Sequence, residues 1–234
     1  MLADFYNVLA EAPTFAEDYT ANRAKYATTP AALRGFEHLQ EVFEAGYLNR
    51  DFGVALFEDG MRMVATGEGA HYPMLTFGIG TLKQNHPEHL DDVGFFAQPG
   101  TDPERNGLTV WMPAALYVPA DTPHAEEAVA FLNFVASPEG CRIMMEAVGA
   151  SGPYLIRGCD LPEDVPQAVR DMMPYFEEDG RTAPALEFLS PVKGPALEQI
   201  TVEVGSGIRD AASAAALYDQ DVEKQARQLG LPNW

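Results

Sequence analysis

Three times the chain sets a hydroxyl residue directly ahead of a proline and then runs into apolar residues at helical spacing: Thr29-Pro30, Thr122-Pro123 and Ser137-Pro138. Such a pair predicts a helix start, because the hydroxyl can accept a first-turn N–H and proline lacks an N–H that would go unused there. After Pro30, the residues Leu33, Phe36, Leu39, Val42 and Phe43 share one face, and Gly46 predicts the stop. After Pro123 the face is Ala128, Val129, Phe131, Leu132, Phe134 and Val135. After Pro138 it is Cys141, Ile143, Met144 and Val148, ended by Gly149. Asp51 to Ala65 repeats the pattern, with Gly60 weakening the middle by about 1 kcal/mol relative to alanine. More helices are expected near 165–176, 195–205 and 210–229. The last carries Ala211, Ala214, Ala215, Leu217, Tyr218, Val222 and Ala226 on one face and closes at Gly230.

Strand candidates are fewer and shorter. Ala70–Leu75, Val93–Phe96 and Leu108–Val118 are apolar stretches suited to strands, and Tyr154-Leu155-Ile156 is a short extended piece. Phe77–Leu82 reads as one or two helical turns, and residues 99–107 as a polar loop. The pattern is a helix-rich α/β fold with too few strands to close a sheet comfortably. There is no internal repeat.

Composition narrows the partners. Of 234 residues, 15 are Lys or Arg and 35 Asp or Glu, a formal charge of −20 that repels phosphate backbones and anionic lipid. Nucleic acid and membrane surfaces fall away as partners. The 47% hydrophobic content can bury a core, so global disorder is excluded. No apolar run approaches the ~18–20 residues of a membrane span, so no membrane insertion of this chain is expected. Met1 to Val8 has neither the basic start nor the unbroken apolar core of a signal peptide, so the sequence by itself reads as cytoplasmic.

Residues with reactive side chains form no catalytic pattern. Cys141 and Cys159 are too few and too widely spaced for a C-x-x-C site; they read first as two semi-buried thiols, with a single disulfide as the alternative. His86-Pro87-Glu88-His89 spaces two imidazoles acceptably for a metal, but the proline and the lack of a third ligand favour a solvated loop. His71, in an apolar stretch, reads as a core histidine. There is no G-x-S-x-G elbow, no G-x-G-x-x-G after a strand and no P-loop. Neither a metal nor a cofactor is expected. Thirty-five acids make some carboxylate pair inevitable, so such a pair does not signal glycoside hydrolysis.

The aromatic residues are more distinctive. Tyr72-Pro73, Thr76-Phe77, Trp111-Met112-Pro113, Gly152-Pro153-Tyr154 and Phe188-Leu189-Ser190-Pro191 set rings beside prolines and polar groups. Taken singly each ring reads as core. As a set they suit a ligand with an apolar face and a hydroxyl rim, such as a sugar.

Read in order, several segments resemble the family 1 extracellular solute-binding proteins, the capture components of carbohydrate ABC importers. ALRGFEHLQEVFEAGYL, through Leu48, is similar to the family's helix ending in a glycine-tyrosine turn. Thr66–Leu82 (TGEGAHYPMLTFGIGTL) resembles its glycine-rich segment that leads to an aromatic, although Leu75 stands where the family usually has glycine. Asp92–Gly100 (DVGFFAQPG), Ala125–Gly140 (AEEAVAFLNFVASPEG) and Asp219–Trp234 (DQDVEKQARQLGLPNW) resemble its proline-ended strand, its helix with a Ser-Pro-Glu restart and its C-terminal helix and tail.

The resemblance implies a periplasmic-binding-protein-like, type II, two-lobed α/β architecture, of which this chain matches the C-terminal portion and lacks most of the first lobe. Residues 1–91 and 137–234 would then belong to the second lobe and 92–136 to an excursion into the first, whose apolar faces should be exposed or rearranged. It implies non-enzymatic capture of a neutral sugar or oligosaccharide in an interlobe cleft, for delivery to ABC permease subunits. Phe77 would stack on the sugar, with Trp111, Tyr154 and Phe188 reaching the cleft and Tyr72 beside them. The expected location moves to the periplasm or the cell exterior, with a lipid anchor on the full-length protein. A cationic solute such as a polyamine, an acidic glycoside-processing enzyme and a structural or interaction protein are the alternatives.

Overall fold

The computed structural model describes residues 4–112 and 115–234. Among them the chain forms helices α1 (Phe5–Glu11), α2 (Phe15–Thr20), α3 (Pro30–Glu44), α4 (Phe57–Thr66) and α5 (Gly78–Asn85). Helices α6 (Ala125–Val135), α7 (Pro138–Val148), α8 (Gln167–Glu177), α9 (Leu197–Gly205) and α10 (Ala211–Gln228) follow. Strands β1 (Leu108–Val110) and β2 (Thr182–Pro184) pair in parallel, Leu108 opposite Thr182. The chain divides into two compact units: Met1–Ala55, Ala97–Trp111 and Glu178–Trp234 form unit 1, and Leu56–Phe96 and Met112–Glu177 form unit 2.

Unit 1 has a helical core, with the strand pair against α1. The alanine face of α10 brings it close to α3 and α9, so that Phe36, Ile200, Val204, Ala214, Ala215 and Tyr218 are all nearly inaccessible to solvent. Aromatic side chains fill the centre: Tyr26 meets Phe15, Phe36 and Tyr218 edge-on, at centroid distances of 5.4, 6.1 and 5.2 Å. Burying one such ring contributes about 1.5–3 kcal/mol, and its edge contacts add to this. Helix α1 holds the strands: Tyr6 N donates to Thr109 Oγ1 at 2.9 Å and Tyr6 Oη to the Gly180 carbonyl at 2.8 Å.

Unit 2 has two smaller cores. Met61, Ala65 and Leu82 join α4 to α5, while Ile79, Ala150, Val165, Ala168, Val169 and Met172 gather around α8. The 91–96 segment is fastened to α8 by carboxylates: Asp91 accepts from Gln167 N and Asp171 from Phe95 N, both at 3.0 Å. Helix α7 starts as expected, Gly140 N donating to the Ser137 hydroxyl at 3.1 Å, and ends at Gly149.

Several sequence expectations need correction. Helix α4 begins at Phe57, not Asp51, because the Asp59 carboxylate accepts from Leu56 N at 2.9 Å and fixes the start there. Thr29 takes the N-cap position, but its hydroxyl makes no capping bond. Ala70–Leu75, Val93–Phe96 and Tyr154-Leu155-Ile156 form no strand, since none meets a partner ladder among the described residues. Phe95 spends its N–H on Asp171 instead. Of the expected Leu108–Val118 strand only Leu108–Val110 pairs; Pro113 and Ala114 lie outside the described residues, as do Met1, Leu2 and Ala3. Cys141 and Cys159 form a disulfide, so the reading as thiols is overturned. His71 is exposed rather than core, its ring edge-on to Phe96 at 5.5 Å. Helix α6 buries none of its residues, and Phe131 is 58% exposed.

Candidate functional site

The five aromatic residues expected at a ligand site divide between the units. In unit 2, Phe77 immediately precedes α5 and is 47% exposed. Its ring lies 5.5 Å from that of Phe57, the first residue of α4, tilted by 44°. Tyr72 lies against the same helix. A Cβ on Gly60 would come within 2.6 Å of the Tyr72 ring, so the glycine that weakens α4 is also what admits the phenol. Partial burial raises the Tyr72 hydroxyl above its ordinary range, and the Glu58 carboxylate adds to the shift.

Tyr154 is half-buried against the α8 core, its hydroxyl donating to the Gly149 carbonyl at 3.3 Å. Burial raises its phenol too. The Gly149–Tyr154 loop and the segment carrying Phe77 share this core through Ala150 and Ile79, and a Cβ on Gly152 would sit 4.0 Å from Thr76 Oγ1. Unit 2 thus gathers Tyr72 and Phe77 around the α4–α5 connection and brings the Tyr154 loop to the same segment.

In unit 1, Trp111 follows β1 directly, and Phe188 closes a 3-10 turn, Leu186–Phe188, that follows β2. Because the strands are parallel, both residues leave the C-terminal end of the pair, the end at which open α/β sheets commonly meet ligands. Ala185 N bonds the Val110 carbonyl at 3.0 Å and buried Leu186 anchors the turn, leaving Phe188 47% exposed and Trp111 half-buried.

Among the described residues no group of three His, Cys, Asp or Glu is placed to hold a metal ion. His89 is engaged with Asp92, Nδ1 to Oδ2, at 3.0 Å. An open groove of about 240 Å³ in unit 1 is lined by Thr28, Pro30, Leu33, Arg34 and Glu37 among others, and contains none of the five aromatics. Its Arg34 is held by Glu37 and Glu41 at 3.0 and 3.1 Å.

Sequence reading missed one buried polar group with a structural task. Asp219, on the alanine face of α10, accepts from Tyr26 N at 2.8 Å and Ala27 N at 2.9 Å, tying the chain ahead of α3 to the last helix. Burial raises its carboxyl above the usual range, partly offset by those two donors. A charge set within an otherwise apolar stripe was the available signal.

One protein-family model, described as a bacterial extracellular solute-binding protein, matches residues 1–168. No curated protein and no solved structure matches the chain.

Proposed function

The chain belongs to the bacterial extracellular solute-binding protein family, and from that membership we propose that it captures a neutral sugar or short oligosaccharide for an ABC-type importer, without altering it. The family's role is to bind a solute for transport, and its place of work is the periplasm or cell exterior. Among the described residues no helix is long and apolar enough to cross a membrane, so membrane passage would fall to the permease subunits.

The observation that carries the choice of a sugar is the placing of aromatic rings. Phe77 is half-exposed and backed by Phe57, and Trp111 and Phe188 leave one end of a parallel strand pair. Aromatic faces cover the C–H faces of a sugar, while polar neighbours serve its hydroxyls. The net charge of −20 does not oppose a neutral ligand.

Titration calorimetry with glucose, maltose, maltotriose and spermidine tests the reading. Binding of a sugar is expected, and Phe77→Ala and Trp111→Ala should each weaken it by on the order of 1–3 kcal/mol, with unchanged melting temperature. Binding of spermidine alone would replace the sugar by a cationic solute, and turnover of an aryl glycoside would replace capture by catalysis. Full sugar affinity in both variants would remove these residues from the site.

A further inference from the structure

The Cys141–Cys159 disulfide lies outside every role assigned so far. Cys141 is fully buried in the first turn of α7, while Cys159 is half-buried at the end of a loop that begins at Gly149. The bond therefore closes α7 and that loop into one ring. At its near end the loop is held by Ala150 and Tyr154 in the α8 core and by the Tyr154 hydroxyl on the Gly149 carbonyl. At its far end, among the described residues, Leu155 is 67% exposed, Arg157 and Gly158 are exposed, and a local Cys159 N to Ile156 carbonyl bond turns the chain. A Cβ on Gly158 would touch Pro138 at 3.5 Å, so the loop returns to the start of α7, where the disulfide fastens it.

We propose that Cys141 and Cys159 are positioning residues: their disulfide holds the Gly149–Cys159 loop, and with it Tyr154, in place, and its reduction releases that loop without unfolding unit 2. Only the consequence for ligand affinity rests on the assignment of Tyr154 to a sugar site. Reduction by an external dithiol proceeds in two exchanges. One dithiol thiolate attacks Sγ of the more accessible Cys159, breaking the S–S bond and expelling the Cys141 thiolate. The second dithiol sulfur then displaces Cys159 and closes a cyclic disulfide, so two electrons and two protons pass to the protein.

The experiment needs no ligand. Denatured protein prepared without reductant should expose no thiols to a thiol reagent; two thiols would overturn the proposal. Amide exchange is then measured with and without dithiothreitol, and repeated on a Cys141→Ser/Cys159→Ser variant. The Cys159 amide, held by the Ile156 carbonyl, should exchange at least about tenfold faster on reduction, and α5 and α8 should be unchanged. Reoxidation should restore protection. The second-derivative ultraviolet spectrum should shift as Tyr154 enters solvent, and Tyr154→Phe should abolish that shift. Unchanged loop exchange would show that other contacts suffice, and faster exchange throughout unit 2 would make the bond a general stabiliser. Either result refutes positioning while leaving solute capture standing.

Discussion

Replacing Gly140 by alanine should destabilise the protein, although the same exchange at Gly80 should stabilise it. Both glycines lie in helices, where alanine is ordinarily preferred by up to about 1 kcal/mol. At Gly80 a Cβ meets nothing within 4 Å, so the gain of about 0.5–1 kcal/mol is realised in full. At Gly140 it would lie 2.2 Å from the Phe134 carbonyl oxygen and 3.0 Å from Val135 Cα. Both are backbone atoms that cannot swing aside, and that carbonyl also accepts from the backbone N and hydroxyl of Ser137. Relief would require the α6–α7 connection to open, at about 1–3 kcal/mol for overpacking, with about 1 kcal/mol more as the Ser137 cap is lost. Against a helix gain of no more than about 1 kcal/mol, the net loss should be about 1–3 kcal/mol. Urea unfolding followed by circular dichroism reads both variants directly. A stability for Gly140→Ala equal to or above that of the parent would refute the close approach of the two helices at this glycine.

Two further predictions concern unit 1. Asp219→Ala leaves Tyr26 N and Ala27 N without their acceptor, and should lower stability by on the order of 2–4 kcal/mol in urea unfolding, moderated because a buried carboxylate is removed too. A loss below about 0.5 kcal/mol would mean that these donors find other partners. Burial pushes the Tyr218 hydroxyl up to about 12 and raises Tyr19 and Tyr26 as well. The unfolded chain gives up these protons near pH ~10 while the folded one keeps them, so their stabilising contribution is complete below that pH and is lost as pH rises toward 12. The urea midpoint should fall steeply across that window, less so in Tyr218→Phe. A flat profile would contradict the burial of these phenols.

Helices with a stop and a start written into neighbouring residues were legible in the sequence. Pro30, Pro138 and Gly149 mark ends that local stereochemistry enforces, and the alanine face of α10 follows from its period. Strands were not, because a strand is decided by its partner: Leu108–Val110 pairs with Thr182–Pro184, a Pro-containing stretch with no apolar run, while the more apolar Val93–Phe96 pairs with nothing described. The same limit applies to the site. The rings at Phe77, Trp111, Tyr154 and Phe188 were visible as aromatic residues near prolines or polar groups, but the backing of Phe77 by Phe57 and the shared departure of Trp111 and Phe188 from one sheet end depend on distant pairing. Asp219 was passed over in the sequence, and its two backbone donors lie nearly the whole chain away.

The pairing of β1 with β2 has a consequence for the order of events during synthesis. Leu108 finds Thr182 only after the whole of Met112–Glu177 has been made, and that stretch belongs to the other unit. The closing helix of the unit 1 core, α10, emerges later still. Unit 2 can therefore gather its segments while α1, α2 and α3 still wait, their aromatic rings uncovered, for partners not yet translated. Closing a loop of this length costs only a few kcal/mol of chain entropy, but it delays the contacts that repay it. Helices α1, α2 and α3, made before unit 2, should therefore become protected after it.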